Sequence, residues 1–231
     1  MSIKYISQMQ NLKLVIVPIS YFSLEYRLDE AQESWRCGLY HHIYGLPDEE
    51  GRWFNSRDYS YISLYGLPDT KSYLRQGFKV NLAGSVDKQG WQADAPIFPQ
   101  VEDLISDGKQ RVDQHHKGMR PQNQLWNTKL LDEMLRELRI HNVTPVLITT
   151  PCFYSYSYNT NPQTYHRMQE TIRRLCAHHR LEYYDYFTDS RFESKDFRDS
   201  DHLNALGAEK FSRIIKEDFV KKYVSNSSSS Q

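Results

Sequence analysis

The pattern of apolar and polar residues along the chain predicts three buried strands. Apolar and β-branched residues dominate 12–17 and 143–150, which are followed by Pro18 and Pro151, and a shorter Tyr-rich run covers 181–187. Runs bounded by residues that break regular structure are typical of strands buried on both faces of a parallel sheet. We expect the three strands to be mutually parallel, with 143–150 between the other two.

Helical periodicity appears between and after these strands. Apolar residues recur every three or four positions in 127–140, 162–178 and 205–223, which predicts three amphipathic helices. Asn161 and Pro162 signal the start of the second helix, because asparagine is a good N-cap and proline fits the first turn. In the first helix the predicted buried face consists of Leu130, Leu131, Met134, Leu135 and Leu138. Alternating strands and helices predict an α/β fold with a parallel sheet between two helical layers.

The segment 24–124 departs from this alternation. It is rich in Tyr, Trp, Gly and Pro, and its pattern predicts no buried strand. A connection of this length inside a compact domain is usually functional or an inserted subdomain. We therefore expect a single domain over 1–224 that contains 24–124 as a long insertion or irregular subdomain. The Ser-rich end, 225–231, is expected to be disordered.

Charge and composition exclude several classes of protein. The chain has 231 residues, with 29 Lys and Arg against 29 Asp and Glu, so its formal net charge is zero. Nucleic-acid-binding domains normally show a basic excess, so we expect no nucleic-acid partner. The longest apolar run, 14–19, is far shorter than the ~20 residues of a membrane span, and the first ten residues do not resemble a secretory signal. We expect a soluble protein, and the sequence assigns neither a compartment nor an oligomeric state.

The most specific chemical signal is Asp199-Ser200-Asp201-His202, in the loop between the third predicted strand and the last helix. Loops at the carboxyl ends of parallel strands are where α/β sheets bind ligands. A carboxylate three residues before a histidine can accept a hydrogen bond from the imidazole. That bond fixes the tautomer and stabilises the protonated ring when the histidine acts as a base. The alternative is that Asp199 and Asp201 cap the last helix while His202 lies in solvent.

The run DSDHLNALGAEKFSRII, which contains this signal, closely resembles the last motif of the SGNH (GDSL-type) hydrolases. The resemblance covers about 123–219, with a weaker match at 12–23. It implies a flavodoxin-like three-layer α/β/α fold and ester hydrolysis or acyl transfer as the activity. It also implies that Asp199 and His202 are the Asp and His of a Ser-His-Asp triad.

The nucleophile block of that family is missing from the chain, which contains no Gly-Asp-Ser and no Gly-x-Ser-x-Gly sequence. Ser20 is the nearest candidate, because it directly follows the first predicted strand. The strand count indicates that 12–17 corresponds to the family's third strand. The first two strands and the nucleophile would then lie upstream of Met1, Ser20 would line the site, and this chain would be inactive by itself. Ser20 as the nucleophile and a naturally non-catalytic relative remain open alternatives.

Three further residues are expected to contact a substrate. Asn204 directly follows the Asp-x-x-His loop, and Tyr154 and Tyr156 belong to an aromatic cluster after the strand at 143–150. Aromatic rings at this edge of the sheet can stack on a sugar or cover an acyl chain. A Tyr-rich surface loop without a function is the competing interpretation.

Other reactive side chains receive structural interpretations. Cys152 follows the second strand, and burial is the favoured role for its thiol. The three widely spaced cysteines fit neither a zinc site nor a disulfide framework. Arg111, His115 and His116 precede the first predicted helix, and we expect them in a solvated loop, although they could reach the cleft.

Together these observations predict an SGNH-like ester hydrolase or acyl-transfer domain that acts on an acylated small polar molecule or carbohydrate. We expect His202 to act as the base and Asp199 to orient it. No metal ion and no organic cofactor are expected. The second expectation, from a different class, is a binding protein that keeps the fold and the cleft but has no nucleophile.

Overall fold

A computed structural model describes residues 6, 8–9, 11–28, 37, 40 and 101–225 of the chain. Three parallel strands form its main sheet, in the order β1 (Leu14–Pro18), β2 (Thr144–Thr149) and β3 (Tyr183–Asp185). Leu14 lies beside Thr144 and Leu147 lies beside Tyr183 in the two strand pairs. The predicted parallel sheet with the 143–150 segment in its middle is confirmed, although β3 is shorter than the predicted run.

Helices follow each of the three strands. They are α1 (Leu104–Gly118), α2 (Asn123–Ile140), α3 (Tyr154–Asn159), α4 (Pro162–His179), α5 (Ala205–Ile215) and α6 (Lys221–Ser225). The three predicted helices are confirmed, and the last one contains a π-helical turn, Lys216–Val220, between α5 and α6. The Oδ1 atom of Asn161 caps α4 by accepting from the backbone N–H of Gln163 at 2.9 Å, as expected.

A small second sheet connects β3 to α5. A 3-10 turn, Ser194–Asp196, leads into β4 (Phe197–Asp199), which pairs antiparallel with β5 (His202–Leu203). This hairpin carries the Asp-x-x-His sequence. It lies directly before α5, where the sequence predicts a loop.

The two faces of β2 pack against different helices. Leu147 packs with Leu135 of α2 and Ile172 of α4, whereas Val146 and Ile148 pack with Phe211 of α5 and with Phe219. Successive side chains of a strand point to opposite faces, so β2 is covered on both sides. Within the described residues, the fold is therefore mixed α/β with a parallel sheet between helices.

One residue of the predicted buried face of α2 is not buried. Leu130 is 47% exposed, whereas Leu135 and Leu138 are completely buried. The hydrophobic stripe is narrower than the pattern suggested, because α2 contacts the core along one line of positions spaced three and four residues apart.

The far end of the 24–124 segment is more regular than expected, whereas residues 24–28 form turns and a single bridge. Leu24 is buried in the core, and residues 104–118 form α1. The bridge between Tyr26 and Met119 ties the two ends of the segment together. Most of 29–100, and the tail expected to be disordered after 225, lie outside the described residues.

Among the residues that the structure describes, none of the helices combines the length and the apolar character needed to cross a bilayer. Of these helices, α2 and α4 are the longest, with 18 residues each. Both carry charged side chains along their solvent-facing surfaces.

Replacing a core residue of α2 tests this packing. Leu135→Ala leaves a cavity between α2 and the sheet, so the free energy of unfolding should fall by about 2–5 kcal/mol. Leu125→Ala, on the same helix but at a residue that is 81% exposed, should change it by less than about 0.5 kcal/mol. Urea denaturation of both variants checks the difference. Equal losses would contradict the described orientation of α2.

Candidate active site

The hairpin that carries the Asp-x-x-His sequence is fixed against the start of α5. Asn204 caps this helix, because its Oδ1 atom accepts from the backbone N–H of Gly207 at 3.0 Å. A Cβ atom on Gly207 would overlap the carbonyl oxygen of Asp196, so only glycine permits this close approach. The turn between the two short strands, at Ser200 and Asp201, is therefore held on a rigid base.

Asp199 and His202 form a hydrogen-bonded pair. The Nδ1 atom of His202 lies 2.8 Å from the Oδ1 atom of Asp199, and the same oxygen accepts from the backbone N–H groups of His202 at 2.8 Å and of Asp201 at 3.2 Å. Arg198 pairs with the other carboxylate oxygen at 3.3 Å. Because Nδ1 donates to Asp199, Nε2 is the nitrogen left available to another group. The predicted contact between Asp199 and His202 is confirmed.

The two carboxylates of the loop stabilise the charged form of the imidazole. Hydrogen bonding to Asp199 and then to Asp201 raises the pKa of His202 to about 9, against the opposing effect of desolvation. The ring is consequently protonated at neutral pH. It becomes a base only as the pH approaches this value.

Helix α1 brings a cation to Asp201. Arg111 holds this carboxylate with two hydrogen bonds, from Nε to Oδ1 at 2.6 Å and from Nη2 to Oδ2 at 3.0 Å. Burial alone would raise the pKa of Asp201, but the hydrogen bonds from His202 and Arg111 hold it below its usual range. Two-point contacts between arginine and carboxylate are among the strongest polar contacts in proteins because they are charge-assisted and directional.

His115, one turn further along α1, points into the same region. Its Nδ1 atom lies 2.7 Å from the hydroxyl of Tyr156, and its Nε2 atom lies 3.7 Å from the Oδ2 atom of Asp201. Desolvation lowers the pKa of His115 to about 4, so the ring is neutral and does not balance the charge of Asp201. His116 contacts the hydroxyl of Tyr21 at 2.8 Å.

The expectation that Arg111, His115 and His116 lie in a solvated loop is therefore wrong. Asp103 caps α1 by accepting from the backbone N–H of Ile105 at 2.8 Å. The side of the helix that carries Arg111 and His115 faces the Asp-x-x-His hairpin.

A cavity of about 250 Å³ opens where β1 and β2 end. Pro18 and Thr149, the last residues of these strands, lie on its wall together with His202 and Asp201. The other lining residues are Ser20, Tyr21, Phe22, Thr150, Cys152, Tyr156 and Phe187. The predicted position of His202, facing a cleft at the carboxyl ends of the parallel strands, is confirmed.

Ser20 lies on the wall of the same cavity as His202. Within the described part of the chain, the hydroxyls of Ser20 and Thr150 make no hydrogen bond, whereas the hydroxyl of Thr149 is bonded to that of Tyr183 at 2.6 Å. No hydrogen bond joins Ser20 to His202 among these residues. The structure thus brings the serine and the histidine to one pocket without forming a complete triad.

Cys152 also lines the cavity, but its thiol is not activated. Desolvation raises the pKa of this thiol far above its usual range, and the Sγ atom donates to the carbonyl oxygen of Phe187 at 3.2 Å. A thiolate is the reactive form of cysteine. Cys152 therefore belongs to the packing of the wall, as the sequence favoured.

The three residues expected to contact a substrate have different positions. Asn204 is 2% exposed and is occupied in capping α5, so its expected substrate contact is replaced by a structural role. Tyr154 is 60% exposed on α3 and is not among the residues that line the cavity. Tyr156 is buried and does line the cavity, with its hydroxyl bonded to His115.

Two clusters of described residues hold three metal-ligand side chains close together. They are Asp199 with Asp201 and His202, and Asp132 with His178 and His179. In each cluster an arginine already pairs with a carboxylate, Arg111 with Asp201 and Arg136 with Asp132 at 2.7 Å. A metal ion would therefore compete with a guanidinium for the carboxylate in each cluster.

Sequence analysis favoured a solvated loop for the residues of α1 and gave their approach to the cleft only as the alternative. A local signal was present, because Leu104, Gly108 and Val112 are spaced by four and are buried, and Asp103 is a good N-cap. The ion pair between Arg111 and Asp201 joins residues that are 90 positions apart. No local pattern in the sequence reports such a contact.

Titration of His202 tests the electrostatics of the loop. NMR spectroscopy of the imidazole should give a pKa of about 9 in the wild type and a lower value in Asp199→Asn, because an amide stabilises the imidazolium less than a carboxylate does. Since the folded-state pKa lies above the unfolded value of about 6.5, the pair stabilises the fold fully below about pH 6.5. This contribution is lost as the pH rises through about 9. The control is Asp113→Asn, which changes an exposed carboxylate on α1 and should leave the pKa of His202 unchanged. A wild-type pKa of 6.5 or lower would contradict the described contacts.

Comparison of the chain with protein-family models, with curated proteins and with solved structures found no match.

Proposed function

We propose that the cavity at the ends of β1 and β2 is the acid–base centre of an ester hydrolase or acyl-transfer domain of the SGNH type. The observation that carries the proposal is the hydrogen-bonded pair of Asp199 and His202 on the wall of that cavity. A histidine oriented by a carboxylate and facing a pocket is the arrangement that serine-type acyl transfer requires.

The chemistry assigned to these residues follows from their hydrogen bonds. His202 would remove the proton of an attacking hydroxyl through Nε2, because Nδ1 is committed to Asp199. It would then return that proton to the leaving oxygen of the ester. Asp199 would keep the ring in the correct tautomer and stabilise the imidazolium that forms between the two steps.

The fold supports the proposal at a coarser level. The strand order β1, β2, β3, with helices on both faces of β2, is compatible with the last three strands of a flavodoxin-like sheet. The position of the cavity at the carboxyl ends of the strands fits the same architecture. This agreement concerns architecture alone, because one fold can carry many unrelated functions.

Ser20 is the candidate nucleophile among the described residues, and it would instead line the site if β1 corresponds to the family's third strand. Ser20 lies on the wall of the cavity that is also lined by His202. The assignment requires a local movement of either side chain, because no hydrogen bond joins the two in the described structure. Catalytic hydrogen bonds are often long or poorly aligned before a substrate binds.

The lining of the cavity supports a small polar or carbohydrate ester as the substrate. Tyr21, Phe22 and Phe187 supply aromatic surface, while Ser20 and Thr150 supply hydroxyls that are not bonded to other described residues. Aromatic surface suits the apolar side of an acyl group or a sugar ring. Hydroxyls suit the oxygen atoms of the ester or of the alcohol that it releases.

A second candidate function is the binding of a small ligand without catalysis. The observation that favours it is that the imidazole of His202, with a pKa of about 9, is protonated at neutral pH and is not hydrogen-bonded to any serine that the structure describes. Such a site would hold a ligand through the imidazolium without transferring an acyl group. Turnover distinguishes the two candidates.

Hydrolysis of an activated short-chain ester, p-nitrophenyl acetate, tests the catalytic role. His202→Ala should lower kcat/KM by about 100-fold or more, the usual size of general acid–base catalysis. Asp199→Asn should lower it substantially, because the ring loses its orienting carboxylate. If Ser20 is the nucleophile, Ser20→Ala should abolish turnover and a serine-directed phosphonate should label Ser20.

The matched control for these variants is His166→Ala, which removes an exposed histidine on α4 and should leave kcat/KM unchanged. Activity that survives Ser20→Ala but requires His202 would indicate that water or another group is the nucleophile. Activity at the level of buffer alone, together with binding of a small ester or alcohol, would replace the catalytic proposal by the binding one.

The pH dependence of turnover gives an independent test. Because the neutral form of His202 is the base, kcat/KM should rise by about tenfold per pH unit below the pKa. It should level off above about pH 9. A profile that is flat between pH 6 and 9 would show that titration of His202 does not control the reaction.

A further inference from the structure

Asp201 offers His202 a second carboxylate. The Nδ1 atom of His202 lies 3.4 Å from the Oδ1 atom of Asp201 and 2.8 Å from the Oδ1 atom of Asp199. Nδ1 carries a single proton, so the two carboxylates compete for it. Nε2 is available to a group in the cavity only while the ring keeps the orientation in which Nδ1 is bonded to Asp199.

The orientation depends on which carboxylate has another partner. Both oxygens of Asp201 accept from Arg111, at 2.6 and 3.0 Å, and the side chain of Asp201 is only 10% exposed. A buried carboxylate without a counter-charge is a strong hydrogen-bond acceptor because water does not reach it. Arg111 meets part of that demand, so Asp201, which lies 3.4 Å from Nδ1, competes less strongly for the imidazole proton than Asp199 at 2.8 Å.

The other charged and titratable groups around the pair do not replace Arg111. His115, which also approaches Asp201 from α1, is buried and neutral. Arg198 pairs with Asp199, at 3.3 Å. Asp107 accepts from the backbone N–H of Ser200 at 2.8 Å and adds a negative charge. Among the described residues, Arg111 is the cation whose hydrogen bonds satisfy Asp201.

We propose that Arg111 is a positioning residue of this site, which occupies both carboxylate oxygens of Asp201 so that the Nδ1 proton of His202 stays on Asp199 and Nε2 serves the cavity. The effect on turnover rests on the proposed function, whereas the effect on the imidazole itself does not. Arg111 acts through Asp201 and does not touch the reacting atoms.

The experiment compares Arg111→Met, Arg111→Lys and Asp201→Asn with the wild type. For each protein, NMR spectroscopy measures the pKa of His202 and the protonation of its two ring nitrogens in the absence of substrate. The activity assay then measures kcat/KM for p-nitrophenyl acetate at pH 8. Lys109→Ala, which removes an exposed cation from the same helix, is the matched control and should change neither quantity.

Arg111→Met leaves a buried carboxylate without its counter-charge, so Asp201 should compete for the imidazole proton. The pKa of His202 should then rise above the wild-type value, and kcat/KM at pH 8 should fall by about tenfold for each unit of that rise. Arg111→Lys keeps a charge but cannot hold both oxygens, so both changes should be smaller. Asp201→Asn should lower the pKa of His202.

A double variant separates positioning from simple charge. In Arg111→Met combined with Asp201→Asn, no second carboxylate competes, so the Nδ1 proton should stay on Asp199 and the loss of Arg111 should shift the pKa of His202 much less than it does alone. Equal shifts with and without Asp201, or no shift in Arg111→Met, would overturn the proposal.

Folding and function have separate readouts in this design. If circular dichroism shows that Arg111→Met does not fold, the comparison of Arg111→Lys with the wild type decides, and an unchanged pKa of His202 overturns the proposal. If the wild type hydrolyses no ester while the pKa values move as expected, the proposed function fails and the positioning role of Arg111 stands.

Discussion

Burial of β2 on both faces is the constraint on which the other elements of the site depend. Leu147 ties the strand to α2 and α4, and Val146 and Ile148 tie it to the opposite helical layer. A strand packed this way cannot shift by one residue, because each side chain would move to the wrong face. Its carboxyl end, at Thr149, therefore provides a fixed edge for the cavity and for the chain that continues into α3.

The charged groups of the site are arranged in pairs around that edge. Asp199 pairs with His202 and Arg198, and Asp201 pairs with Arg111. Partly buried charges cost free energy unless they are paired and hydrogen-bonded. The pairing keeps the loop polar and ordered at once, which is what a preorganised site requires.

Local sequence patterns predicted the sheet, its order and the contact between Asp199 and His202. Each of these depends on short-range spacing: apolar runs for the strands, and three positions between the carboxylate and the imidazole. The same local reasoning predicted that Asn204 contacts a substrate. Its side chain instead caps α5, because its Oδ1 atom accepts from the backbone N–H of Gly207.

The features that sequence analysis missed depend on contacts between distant segments. Leu130 carries the same local pattern as Leu131, and only the packing of α2 separates the exposed residue from the buried one. The role of Arg111 requires α1 to lie against a hairpin 90 positions away. Hydrophobic periodicity identifies which face of a helix is buried, but it does not identify what that face contacts.

The separation of the contributing segments has a consequence for how the protein reaches its native state. The sheet pairs β1 with β2 across most of the chain, and the hydroxyl of Tyr21 accepts from the backbone N–H of Asn161, 140 positions away. Folding slows as the contacting residues become more distant in sequence, because the entropy of closing long loops must be overcome before the contacts form. Tyr21 and His202 both line the cavity, although they lie near opposite ends of the chain. We therefore expect the contacts that enclose the cavity to form late in folding.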